Sequence, residues 1–235
     1  REVKEKFGKT ILQGYGATET SPVAGCNMPD HLDTDYWIVQ TANKPGTVGM
    51  PFPGTAYKIV DPESFEELPV GEDGLILIGG VQAMKGYLKD PKRTKEAFVT
   101  FDGLEFYKTG DKGHLDDDGY LTIIDRYSRF AKVGGEMVSL STVEQDIVKI
   151  IDDEEIEFIT ANVPDEKKGE KVILLVTGDI DTNDLRKKIL ASDINALSIP
   201  AKIFVIDAIP ILGSGKRDFA STKKLALRLV NESIK

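Results

Sequence analysis

Cysteine is nearly absent from this 235-residue chain. The single Cys26 excludes an intramolecular disulfide framework and suits a reducing compartment. Histidine is as scarce: His31 and His114, with that one cysteine, are too few for a His/Cys zinc site. No apolar run reaches the roughly 18 to 20 residues that span a bilayer, and no signal-peptide pattern opens the chain. There is no basic excess either. The formal net charge is −9, which argues against a general nucleic-acid binder. The first residue is Arg1, and the segment to Phe7 reads like the end of a helix already under way. The expectation is a piece of a longer polypeptide, cytoplasmic in itself.

What is present is ordinary globular composition, 40% hydrophobic and 29% charged, with enough chain for one large domain or two smaller ones. Thr10–Gln13 reads as a short buried strand, and residues 17–54, rich in Gly, Pro, Thr and Asn, as loop. Thr55–Val60 and Gly74–Ile78 are the clearest strands. A short helix is expected from Asp90 to Phe98, then strands at Phe106–Lys108, Gly113–Leu115 and Tyr120–Ile124, with a turn at Asp116–Gly119. Residues 125–140 contain Arg126, Arg129, Lys132 and the pair Gly134-Gly135 and are expected to form a surface connection. Beyond it, Ser141 with Glu144 reads as a capping box opening a helix that carries Val143, Ile147, Val148 and Ile151. Strands at Ile156–Val163 and Lys171–Val176, a helix at Thr182–Ala191, a strand at Lys202–Ile206 and a basic helix from about Phe219 complete a unit of about 110 residues.

Four short stretches carry candidate chemistry. In Gly14-Tyr15-Gly16-Ala17-Thr18-Glu19-Thr20 the glycines permit close backbone approach. Tyr15 offers a flat face, Thr18 a hydroxyl and Glu19 a hard oxygen ligand for Mg²⁺. Read alone, the heptad is equally a tight glycine turn. In Thr109-Gly110-Asp111 the carboxylate suits a ribose diol, and is as well explained as a turn residue. Arg126 and Lys132 flank a basic loop. Gly213-Ser214-Gly215-Lys216 would deliver a cation to a phosphate or carboxylate; it is not a P-loop, because Pro210 and Arg217 occupy two required positions.

Taken in order, these stretches resemble the later motifs of the adenylate-forming superfamily, with Val48–Gly54 and Gly86-Tyr87 as supporting pieces. The wording of Arg129–Lys132, Gly135–Leu140 and Leu212–Phe219 is similar to the synthetase part of bifunctional acyl-acyl carrier protein synthetase/2-acylglycerophosphoethanolamine acyltransferases. The resemblance implies an α+β fold. Residues 1–126 would be the end of a large adenylation domain, a β-rich, distorted barrel-like subdomain, and 127–235 a small mobile α+β domain. It implies ATP and Mg²⁺, a fatty acid, and an acyl carrier protein (or CoA) as thiol acceptor. A lysophospholipid would be served only by a transferase part absent here. Such a parent chain would sit at the inner face of a bacterial cytoplasmic membrane.

Residue by residue, the resemblance places Gly14, Tyr15 and Gly16 at the adenine, Thr18 at the α-phosphate and Glu19 on Mg²⁺. Asp111 would hold the ribose hydroxyls, with Arg126 beside ribose and phosphates. Lys216 would reach the α-phosphate and carboxylate during adenylation. Ser128 would be the domain pivot, where members usually carry Asp or Lys; Asp125 stands where glycine is usual. Lys132, Gly134 and Gly135 would face the thiol arm after the swing. Neither the Ser/Thr/Gly-rich triphosphate loop nor a His-x-x-x-x-Asp pair is present, and His114 is expected to be structural. The basic end (Lys216, Arg217, Lys223, Lys224, Arg228) could steer an acidic carrier protein or be a solvated helix face.

Overall fold

The computed structural model describes residues 2–151, 153 and 155–233. The chain divides into two compact units between Tyr127 and Ser128. Helix α1 (Glu2–Phe7) is followed by the short strands β1 (Gly14–Tyr15), β2 (Gly25–Cys26), β3 (His31–Asp33), β4 (Ile38–Gln40) and β5 (Met50–Pro51). Then come β6 (Thr55–Val60), β7 (Gly74–Gly80), α2 (Pro91–Ala97), β8 (Phe98–Phe101), β9 (Leu104–Leu115) and β10 (Leu121–Arg126). The core is the curled sheet β10-β9-β7-β6, with β8 added along β9. β7 reads as a nearly continuous apolar run because both its faces are covered. Ile76 and Ile78 pack with Tyr57, Ile59 and Leu121. Leu75 and Leu77 face the other way, onto Val60 and Phe106.

The first unit departs from expectation in four places. Thr10–Gln13 is not a strand: Ile11 is 67% exposed, and the pairing begins only at Gly14. The expected loop 17–54 holds four short strands, each only two or three residues long, too short for alternation to show. Phe98 begins β8 instead of ending α2, whose cap is the Asp90 side chain accepting from Arg93 N at 3.0 Å. The two strands expected around Thr109-Gly110-Asp111 are one twelve-residue strand interrupted by a bulge. Gly110 has φ 75°, a left-handed conformation that only glycine adopts cheaply.

In the second unit β11 (Phe130–Val133), β12 (Glu136–Ser139), α3 (Leu140–Val148), β13 (Phe158–Asp165), β14 (Gly169–Val176), α4 (Thr182–Leu190), β15 (Lys202–Val205) and α5 (Phe219–Glu232) follow. The sheet order is β12-β11-β14-β13, with β15 parallel to β14. β14 again alternates between two cores: Val172, Leu174 and Val176 lie against Val143, Ile147, Leu185 and Ile189 of α3 and α4. Ile173 and Leu175 lie with Ala226 and Val230 of α5.

The expected surface connection at 125–140 is a hairpin that fills a core. Phe130, Ala131, Val133, Val138 and Leu140 are buried, and Gly134 (φ 64°) and Gly135 (φ 94°) make its two-residue turn. Cations spaced along it disguise a short buried strand. Its helix cap is also two residues earlier than expected: Ser139, not Ser141, accepts from Thr142 N at 3.2 Å. Glu144 is therefore no capping-box residue. Its Oε1 takes Arg129 Nη2 at 2.7 Å, Thr160 N at 2.7 Å and Thr160 Oγ1 at 2.9 Å. The basic C-terminal segment is mostly spoken for as well. Arg217 lies 3.8 Å from Glu144, Lys223 3.9 Å from Glu170 and Arg228 3.9 Å from Glu232. Of the acidic stretch expected at 152–157, Asp152 and Glu154 lie outside the described residues.

Candidate active site

The glycine heptad is a strand end followed by a single 3-10 turn. Gly14 and Tyr15 pair with Cys26 and Gly25. Gly16 is required by space, since a Cβ there would fall 2.1 Å from the carbonyl oxygen of Pro22. The turn Thr18–Thr20 is locked by the buried Thr20, whose Oγ1 accepts from Ala17 N at 2.9 Å and donates to Ala17 O at 3.0 Å. Thr20 had no sequence signal beyond its place in the heptad. Thr18 is left exposed.

Two bulges bring three of the expected residues together. β7 places Leu75 opposite Lys112 but Leu77 opposite Lys108, so β9 carries extra residues at 109–111. Thr109 Oγ1 fastens the bulge by donating to Ile76 O at 2.7 Å and accepting from Asp111 N at 3.0 Å. The partner β10 skips Ile124, which sets Arg126 opposite Asp111. Arg126 Nε stands 3.0 Å from Asp111 Oδ1, with the arginine side chain exposed and the carboxylate buried. Tyr15 donates its hydroxyl to Asp111 Oδ2 at 2.5 Å across 96 residues of sequence. Asp111 Oδ1 is buried and makes no hydrogen bond within the described residues, although Arg126 is adjacent. A buried acceptor of this kind is costly unless a donor reaches it.

Burial and the neighbouring Asp111 carboxylate raise the Tyr15 phenol far above its ordinary pKa. Tyr15 is therefore a proton donor throughout the working range of a protein, and it fixes which oxygen of Asp111 stays open. Tyr15→Phe is expected to weaken ATP binding by the full-length protein by at most about 10- to 150-fold while leaving the fold intact, since one hydrogen bond to a charged group contributes roughly 1.5 to 3 kcal/mol. Nucleotide titration with the variant checks this; an unchanged ATP affinity would show that Tyr15 does not set the Asp111 geometry.

Glu19 forms the second part of the site. Its Oε1 accepts from Tyr87 Oη at 2.8 Å, and its backbone oxygen accepts from Met84 N at 2.8 Å. Tyr107 also lies against Tyr87 and Glu19, and its phenol is pushed up chiefly by burial and then by the Glu19 charge. Arg93 stacks on the Tyr87 ring at 3.8 Å. Tyr87 has no role in the Gly86-Tyr87 piece, and Tyr107 lies within the expected strand Phe106–Lys108; nothing in local sequence connects them to Glu19, 68 residues from Tyr87. Among the described residues no three His, Cys, Asp or Glu side chains converge as a metal cage. A lone carboxylate fits Mg²⁺, which commonly takes one or two carboxylates and draws its other ligands from phosphate oxygens and water.

The remaining candidates lie in the second unit. Ser128 is exposed at the centre of a 3-10 turn. Its neighbours are anchored: Tyr127 packs beside the Val60–Phe106 cluster of the first unit, and Arg129 is buried with Glu144 in the second. Lys132 is exposed on β11, and Gly134 and Gly135 turn the hairpin with open space where a Cβ would stand. Lys216 is exposed on a loop clasped by the Ile211–Arg217 bridge. His114 Nδ1 lies 2.8 Å from Asp73 Oδ1. No helix among the described residues is long and apolar enough to cross a membrane.

Residues 1–88 match the family model described as AMP-binding enzyme. The chain is 35% identical over 193 residues to the long-chain-fatty-acid–CoA ligase of Bacillus subtilis, a match covering 78% of this chain and 31% of that protein. It is 35% identical over 222 residues to 4-coumarate–CoA ligase 1 of Petroselinum crispum, covering 91% of this chain and 38% of that protein. Among solved structures, ATP-bound MatB from Rhodopseudomonas palustris superposes with a TM-score of 0.77 at 29% identity, over 96% of this chain and 42% of that one. The o-succinylbenzoate CoA synthetase of Bacillus subtilis with its acyl-adenylate intermediate gives 0.73 at 25% identity, over 94% and 42%. The chain thus spans well under half the length of each of these proteins.

Proposed function

The chain belongs to the adenylate-forming superfamily of AMP-binding enzymes, and from that premise we propose that the full-length protein is an AMP-forming fatty-acid ligase. The observation that carries this reading is the Tyr15–Asp111–Arg126 cluster, in which a buried carboxylate oxygen is held open beside an exposed guanidinium. A ribose diol would supply the missing donor to Asp111 Oδ1, and Arg126 would lie along the phosphates. Gly14 and Gly16 let the backbone approach the nucleotide, with Tyr15 at its edge. Thr18 would bond the α-phosphate.

Glu19, oriented by Tyr87, would hold Mg²⁺, and the ion would supply charge neutralisation at the phosphates. Lys216 would offset the charge that builds on the α-phosphorus oxygens as a fatty-acid carboxylate attacks and pyrophosphate leaves. The acyl-adenylate then passes its acyl group to a thiol, releasing AMP. Ser128, the one residue between two anchored neighbours, would be the pivot between the half-reactions. Lys132, Gly134 and Gly135 would then present a smooth hairpin turn to the thiol arm.

For the acceptor, the wording of residues 129–140 and 212–219 favours an acyl carrier protein, within a parent that also acylates a lysophospholipid at the inner membrane face. The second reading, CoA, has its own support: the relatives named above are CoA ligases. Much of that wording also has a packing role here, in the buried hairpin and the Arg129–Glu144 pair, which is silent about the thiol.

ATP–pyrophosphate exchange driven by a fatty acid tests the first half-reaction. Clear exchange is expected from the full-length protein, and inertness with every fatty acid would remove the ligase reading. Side-by-side thioester formation on holo-acyl carrier protein and on CoA then identifies the acceptor.

A further inference from the structure

A dense group of exposed cations lies around α2. Residues 85–95 carry Lys85, Lys89, Lys92, Arg93 and Lys95 against the single carboxylate Asp90, in a chain whose net charge is −9. All five are exposed. Lys85, Lys89 and Lys95 have no ion-pair partner among the described residues, and Lys92 reaches Glu96 only at 4.0 Å. Arg217, Lys223 and Arg228, by contrast, each have a carboxylate within 4 Å. The free cations surround something concave. A cavity of about 780 Å³ has Lys85, Lys89, Lys95, Leu88 and Phe98 in its lining together with the carboxylates Asp90 and Glu105, and Leu88 is 89% exposed. A partly apolar depression with three unpaired lysines against two carboxylates fits an amphipathic acidic helix that inserts an apolar side chain and places its carboxylates on the lysines.

We propose that this face of the first unit docks the acidic acyl carrier protein that accepts the acyl group. The inference rests on the carrier-protein reading of the acceptor and names the surface that would recognise it. An anionic membrane is the less fitting occupant. The lysines edge a concave site, which suits a convex protein partner better than a flat bilayer surface. The patch is also tied to the candidate active site. Arg93 stacks on Tyr87, and Tyr87 donates to Glu19, so a partner seated on α2 lies two contacts from the Glu19 carboxylate.

The test uses the full-length protein and its K85E/K89E/K95E variant, titrated against fluorescently labelled holo-acyl carrier protein by anisotropy. The variant is expected to bind at least about tenfold more weakly, and wild-type binding is expected to weaken between about 50 and 300 mM salt. ATP–pyrophosphate exchange should stay unchanged, which shows that the variant is folded. The neutral variant K85Q/K89Q/K95Q should fall between the two. Unchanged carrier affinity overturns the proposal. So does an equal rise in KM for CoA, which would mean the patch reads a small phosphate-bearing thiol, or a loss confined to binding of phosphatidylglycerol vesicles. Should the wild type show no exchange at all, the ligase reading falls while the anisotropy comparison still decides the docking surface.

Discussion

Lys216→Ala in the full-length protein is expected to lower ATP–pyrophosphate exchange by about 10²- to 10³-fold, the range seen when one preorganised donor to a developing oxyanion is removed. Lys216 lies in a short clasp: Leu212 N donates to Lys216 O at 2.7 Å, and Gly215 N donates to Leu212 O at 2.8 Å. Gly215 takes the left-handed conformation (φ 80°) this needs. The clasp is pinned from the far side by Arg217, 3.8 Å from Glu144, and by Asp218, which caps α5 through Ser221 N. Backbone and neighbours thus hold the loop, while the Lys216 side chain is exposed and has no ion-pair partner among the described residues. Its removal should leave the unfolding midpoint unchanged within about 0.5 kcal/mol, as for an uninvolved surface position.

Thioester formation from a supplied acyl-adenylate should fall by less than about threefold, because the charge on the α-phosphorus oxygens builds up in the other half-reaction. Equal loss in both half-reactions would make Lys216 a general binding residue and remove its assigned role.

Glu144→Ala is expected to destabilise the chain by about 3 to 5 kcal/mol in denaturant unfolding. Arg129 and Glu144 are both nearly buried, with side-chain exposures of 9% and 12%, so solvent does little to screen the pair. The carboxylate also accepts from Thr160 N and Oγ1 and faces Arg217. Its loss would leave the Arg129 charge buried over the Phe219 ring, 4.2 Å away, with no counter-charge. Replacing both partners with apolar residues, R129M/E144L, should recover much of this, leaving about 1 to 3 kcal/mol for the orphaned Thr160 N–H. A cost under about 1 kcal/mol for Glu144→Ala would mean that water enters the network. The network joins the start of the second unit to the residues after Lys216, so Arg129→Met alone is the more informative partner for kinetic work.

The hairpin around Gly134-Gly135 shows where local reading stops. Its strand Phe130–Val133 buries three of four residues without a clean alternation, and the arginines and glycines nearby give the whole stretch the texture of a loop. Burial of Arg129 becomes intelligible only once Glu144, on a helix expected to use it as a cap, is seen to face it. The C-terminal cations were equally misleading: their charge was plain, but the carboxylates that neutralise them come from Glu144 on α3 and Glu170 on β14.

Runs of apolar residues between turn formers were enough, without coordinates, to locate β6, β7, β13, β14, β15 and α5, because burial of a strand or helix face leaves a local periodicity. The order of short motifs identified the superfamily, and the scarcity of cysteine and histidine ruled out other chemistries. Tertiary structure alone decided that Thr109-Gly110-Asp111 is a bulge within one strand, that Ile124 is skipped opposite it, and that Tyr15, Asp111 and Arg126 meet. A bulge is a mismatch between two strands, and a hydrogen bond spanning 96 residues depends on the path of the whole sheet. Neither leaves a trace in any window short enough to read as a pattern.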